Sequence, residues 1–148
     1  MQPHAREVLK EAGYGFSIRA DARVGVDQAI GDGDETLVAV YAVDEDIYVE
    51  KAYVIIEATA IGGADGGSDR WQVDLQNIGP AGAGTTSLLS GGAWTSEDAL
   101  AIETPDDLGV DQNRLVPAGS QLGVVITEDG TPNQDLIGAV HIVYWRRV

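Results

Sequence analysis

The sequence predicts an all-β fold: an antiparallel β-sandwich or jelly-roll-like domain preceded by a short N-terminal helix and an extended arm. Three observations carry this. Nineteen glycines and five prolines in 148 residues suit tight turns and work against helix interiors, where glycine costs backbone entropy and proline removes a hydrogen bond. Apolar residues recur with period two along several segments, the repeat of a strand with one buried face. Polar, glycine-rich clusters separate those segments, with no helical pattern between most pairs, so the strands are expected to stack as two antiparallel sheets.

Taken in order, residues 3–12 place Ala5, Val8, Leu9 and Ala12 at helical spacing, with Pro3 tolerable in a first turn and Gly13 suited to a C-terminal cap. A helix of roughly ten residues is marginal alone and needs its apolar stripe packed on something. From Phe16 the period becomes two: Phe16, Ile18, Ala20, Ala22, Val24 and Val26 share one face, with Arg19, Asp21 and Arg23 on the other. Residues 1–26 therefore read as an N-terminal arm, and 27–148 as the sandwich.

Gly31 to Glu35 reads as a turn, and Thr36 to Val43 as a strand buried on both faces. Ile47 to Thr59 is rich in β-branched and aromatic residues, and Gly62 to Asp69 is a flexible connection. Trp71, Val73 and Leu75 alternate cleanly with Gln72, Asp74 and Gln76. Thr85 to Leu89 reads as a short strand, Ser96 to Leu100 as a helical turn capped by Ser96, and Thr104 to Gly109 as a loop. Pro117 to Ser120 introduces Gln121 to Thr127, where Leu122, Val124 and Ile126 share a face; Glu128 to Asp135 connects to a last strand, Leu136 to Trp145. The total is seven or eight strands.

Hydrophobic residues make up 44% of the chain, enough for one core. The net charge of −15 is unevenly spread. Residues 24–145 hold 21 carboxylates against Lys51, Arg70 and Arg114, which is −18, whereas residues 1–23 carry four basic and three acidic groups. A body this acidic excludes nucleic acid as its partner, because binding a polyphosphate requires cations. With no cysteine, a disulfide framework, a thiolate zinc site and a thiol nucleophile are all excluded. Met1 to Lys10 is polar and charged, unlike a signal peptide, and no apolar run approaches the roughly 20 residues of a spanning helix, so neither export nor a membrane partner is expected.

Motifs that could carry chemistry are weak. His4 and His141 lack metal-ligand spacing. Acid clusters at Asp32/Asp34/Glu35, Asp44/Glu45/Asp46, Asp65/Asp69 and Asp106/Asp107/Asp111 match no calcium loop and read as turn chemistry. Gly79 to Ser87 resembles a phosphate-binding loop but lacks its lysine and following helix. There is no nucleophile elbow. No catalytic residue, metal or cofactor is assigned. Most aromatic residues belong in the core, while Tyr14 and Trp94, beside glycine-rich breaks, are candidate exposed anchors.

Several segments together resemble a known family. Glu50 to Val54 (EKAYV), GGADGGSDRWQVDLQNIG, TPDDLGV, VPAGSQLGVVIT and the terminal GAVHIVYW are similar to small virion proteins of tailed bacteriophages, in particular capsid decoration, or cement, proteins. The resemblance spans about residues 36–146 and leaves Met1 to Val26 uncovered. It implies a jelly-roll-like body, commonly a homotrimer, that is made in the host cytoplasm, sits on the outer capsid surface of the virion and stabilises it by bridging major capsid protein subunits. Under that reading Val8, Leu9, Tyr14 and Phe16 bury apolar surface on the capsid, and Arg6, Lys10, Arg19 and Arg23 meet its acidic groups. The competing expectation is a carbohydrate-binding module or head-fibre-like adhesin that stacks sugars on Tyr14 or Trp94. A carboxylate-dependent glycosidase stands third.

Overall fold

The structure, a computed structural model, describes residues 14–22, 35–57, 70–96, 103–129 and 135–146. Among these residues the chain forms ten strands and no helix: β1 (Tyr14–Ala22), β2 (Glu35–Ala42), β3 (Ile47–Ile56), β4 (Arg70–Asn77), β5 (Thr86–Ser87), β6 (Trp94–Thr95), β7 (Asp106–Asp107), β8 (Leu115–Val116), β9 (Gln121–Asp129) and β10 (Leu136–Arg146). They build two antiparallel sheets. The first runs β1-β10-β3, with β7 and β8 both pairing β3; the second runs β2-β9-β4, with β5 and β6 both pairing β4. The first four long strands alternate between the sheets, and β9 and β10 then insert between β2 and β4 and between β1 and β3, which is the connectivity of a jelly roll.

Alternation in the sequence becomes the two faces of each sheet. In β4 Trp71, Val73 and Leu75 are buried and Gln72 and Asp74 half-buried. Val49, Ala52, Val54 and Ile56 of β3 and Val140 and Ile142 of β10 meet them from the first sheet. Between Leu122 and Ile126 strand β9 is buried on both faces, as suits a central strand. Gly138 of β10 is required by close approach, because a Cβ there would lie 2.2 Å from the Ile55 carbonyl oxygen. Gly119 supplies the left-handed residue (φ 85°) of the Pro117–Ser120 turn, and its N–H donates to the Val43 carbonyl at 2.8 Å.

Four expectations are corrected. The strand expected over Thr36 to Val43 forms as β2 but lies at the end of its sheet, and Tyr41 and Ala42, expected to be buried, are exposed. An apolar run does not distinguish a central strand from an edge strand that closes a sandwich. Thr104 to Gly109 is not a plain loop, since Asp106 and Asp107 pair with Val54 and Tyr53. Glu128 and Asp129 belong to β9 rather than to the following connection. The described strands number ten because the connections between β4 and β9 contribute four two-residue pieces, too short for any periodicity to announce.

Within the segment read as an extended arm, Tyr14–Ala22 pairs with β10 along all nine residues and buries Ile18 and Ala20 while Ser17, Arg19 and Asp21 stay exposed. The helix expected over 3–12 and the rest of the arm lie outside the described residues, as do 97–100 of the expected helical turn and the Gly62 to Asp69 connection.

Candidate functional site

The two long sides of the sandwich are built differently. On one side the edges consist of β5, β6, β7 and β8, each two residues long. Side chains and loop backbone lock that side. Trp94 of β6 sits in register with Val73 and Asp106 of β7 with Val54, so both face the interior from opposite sheets. The Trp94 indole N–H donates to Asp106 Oδ2 at 2.7 Å, tying the sheets together. An isolated bridge joins Leu89 to Val110, and the Leu108 N–H donates to the Ala52 carbonyl at 2.9 Å. Short, locked edges of this kind resist pairing with another chain.

On the other side the edges are long: β1 with nine residues and β2 with eight. Here an aromatic cluster joins the sheets. Register sets Tyr14 against Tyr144 and Phe16 against Ile142, all on the inner face of the first sheet. Tyr41 sits opposite Leu122 on the inner face of the second. Phe16 stacks on Tyr41 across the gap, with ring centroids 3.9 Å apart and planes at 18°. The Phe16 ring also meets Tyr144 edge-on at 5.4 Å, and Tyr144 meets Tyr14 at 5.7 Å. Ring pairs of this geometry contribute about 0.5–1.5 kcal/mol each beyond the area they bury.

Phe16 and Tyr144 are half-buried against the core, whereas Tyr14 (38%) and Tyr41 (39%) keep large exposed surfaces. The Arg146 guanidinium carbon stands 4.6 Å above the Tyr14 ring, and its Nε lies 2.6 Å from Glu45 Oε1. The Glu45 charge raises the Arg146 pKa above the usual guanidinium value. The result is an aromatic end with a fixed cation beside it: two exposed phenol rings held by two half-buried ones.

Of the site residues expected from sequence, Tyr14 and Phe16 come together in this cluster. Arg19 lies further along β1 on the outer face, ion-paired with Asp21 at 3.0 Å and with Glu57. Its pKa is raised by the Asp21 and Glu57 hydrogen bonds. Arg6, Val8, Leu9, Lys10 and Arg23 lie outside the described residues. Trp94 stands on the opposite side, half-buried and bonded to Asp106, so its indole serves the scaffold. Sequence reasoning left Tyr41 and Tyr144 among the aromatic residues of the core, read Glu45 as turn chemistry and gave Arg146 no site role. Tyr41 lies inside the apolar run that ends at Val43, so neither its exposure nor its cross-sheet partnership with Phe16 has a sequence signature.

His4, Asp32, Asp34, Asp65 and Asp69 lie outside the described residues, and several of the remaining described candidates are engaged in the scaffold. Asp46 accepts from the Ala118 N–H, Asp107 from the Gly109 N–H and Asp111 from the Ser90 N–H, at 2.9, 2.8 and 2.8 Å, in keeping with turn chemistry. In the phosphate-loop-like stretch, Gly79 donates to Asn77 Oδ1, Gly82 to the Gly79 carbonyl and Gly84 to the Ile78 carbonyl, so those N–H groups are spent within the turn. His141 lies on the outer face of the first sheet with Nδ1 3.0 Å from Ser17 Oγ. A shallow depression of about 200 Å³ beside Gly84, Thr85 and Val125 is smaller than the about 300–1,000 Å³ of small-molecule sites.

Comparison with protein-family models, with curated proteins and with solved structures finds no match to this chain.

Proposed function

We propose that the chain is a structural docking protein of a virus particle, which seats the aromatic end of its jelly roll on the outer surface of an assembled phage capsid and bridges neighbouring major capsid protein subunits. The observation that carries this reading is the asymmetry of the sandwich. One side is closed by short, cross-tied strands, while the other presents Tyr14 and Tyr41 with Phe16 and Tyr144 beneath them. Tyrosine suits a docking anchor because it offers a large rigid ring at little entropic cost. The capsid setting comes from the sequence resemblance to decoration proteins, and a jelly roll is an architecture that capsid proteins use.

Stabilisation follows from mass action. A protein that binds the assembled shell but not loosened capsomers lowers the free energy of the shell by its binding free energy. The N-terminal arm, with Arg6, Val8, Leu9 and Lys10 in sequence directly before β1, adds contacts at the same end. The test is binding of purified chain to particles assembled without it. Wild type is retained on the particles, and Tyr14→Ser/Tyr41→Ser is not; equal retention of the two forms refutes the aromatic end as the docking surface.

A further inference from the structure

We propose that β1 pairs antiparallel with β1 of a second copy, in the register that sets Ala20 opposite Ala20 and Arg19 opposite Asp21 of the other chain. Three observations lead there. First, among the described residues β1 ends its sheet, and its nine residues pair with β10 in unbroken register. A long, regular edge is a template for another strand. The neighbouring β2 edge has a register break between Leu37 and Ala39, the kind of bulge that spoils an edge for pairing.

Second, both long edges lie on the same side of the sandwich. A closed ring of three needs two different complementary surfaces, whereas a two-fold pair needs one surface that complements itself. Among the described residues the locked far side, with its two-residue strands, offers no second long edge to complete a ring.

Third, the outward charges of β1 select one register. Directly opposed residues in an antiparallel ladder share a face, so only registers that match outer with outer residues are possible. Centring the pair on Arg19 sets Arg19 against itself, and centring it on Asp21 sets Asp21 against itself. Centring on Ala20 sets Arg19 against Asp21 twice, and places the smallest buried side chain of β1 on the axis. Opposite charges facing across strands favour a register, and like charges oppose it.

This inference goes beyond the docking proposal and supplies the geometry that bridging needs. Tyr14 stands six residues from the axis in each copy, which at about 3.3 Å per residue separates the two aromatic ends by about 40 Å. One pair then reaches two sites on a shell. It also replaces the trimer that the family resemblance implies.

Sedimentation of the purified chain without particles tests it, at an ionic strength of about 0.15 M, where the repulsion between two acidic bodies is screened beyond about 8 Å. Wild type is expected at twice 15.6 kDa. Arg19→Asp alone and Asp21→Arg alone each set like charges opposite in two places, and the dissociation constant rises on the order of 30-fold. Mixing the two variants restores the pair, because one chain then carries two acids and the other two arginines, while circular dichroism checks that each is folded. Monomeric wild type, a mass of three times 15.6 kDa, variants that pair as well as wild type, or no recovery on mixing would each overturn the proposal. Since no particle is present, these outcomes are independent of whether the aromatic end docks.

Discussion

Removing Tyr14 and Tyr41 together tests docking, because about two fifths of each residue is exposed in the monomer and open to a partner. A tyrosine buries about 150–250 Å². With 38% and 39% exposed, the two present about 150 Å² between them. At about 25 cal/mol per Å² this is at most about 4 kcal/mol of docking free energy. Backbone and hydroxyl atoms make up part of that area, and ordering at the interface offsets more, so about 2 kcal/mol remains. Tyr14→Ser/Tyr41→Ser is therefore expected to weaken binding about 30-fold. The assay is co-sedimentation of labelled chain with particles assembled without it, titrated to saturation. Fold is checked by thermal melting, where the variant loses two ring contacts, about 0.5–1.5 kcal/mol each, and still melts cooperatively. A dissociation constant within threefold of wild type, on a folded variant, refutes the reasoning.

Deletion of residues 1–13 leaves Tyr14 at the start of β1 and is expected to lower particle occupancy and the heat resistance of the shell; occupancy equal to wild type removes the arm from the mechanism. Ser96→Ala removes the Oγ that accepts the buried Trp71 N–H at 2.9 Å, and the orphaned donor should cost about 1–3 kcal/mol, seen as a lower urea midpoint at unchanged slope. Gly138→Ala forces a Cβ against the Ile55 carbonyl oxygen in the middle of the first sheet. It should destabilise by about 2 kcal/mol or more, whereas Gly91→Ala, with open space around the new methyl group, should change the midpoint little. Equal effects of the two glycine changes would show that the Ile55 backbone yields.

The strands that sequence made legible are those that bury one face over many residues. Trp71, Val73 and Leu75 alternate with polar neighbours because β4 has a wet outer face, and Ile18 and Ala20 against Arg19 and Asp21 announce β1 for the same reason. The exposure of Tyr41 and Ala42 could not be read, because strand position within a sheet is set by pairing and not by hydropathy. The two-residue strands β5 to β8 were largely hidden because two residues hold no period. Half of the aromatic end could be read, since Tyr14 and Phe16 share parity on one strand. Its other half could not, because Tyr41 reaches Phe16 through the packing of two sheets, and Arg146 reaches Tyr14 through the end of a strand 132 positions later in the chain.

The acidity of the body belongs to the same architecture. Strands of two residues gain few ladder bonds, and carboxylates supply the difference. Asp74 accepts from Ser87 at 2.6 Å beside β5, Asp106 holds Trp94 of β6, Asp107 turns the chain after β7, and Asp111 takes the Ser90 backbone. Each such carboxylate organises N–H or O–H groups that no ladder uses, and each adds negative charge to the locked side. The described arginines are likewise engaged with acids or rings: Arg19 with Asp21 and Glu57, Arg146 with Glu45, Arg70 with Asp129, and Arg114 over the Tyr48 ring.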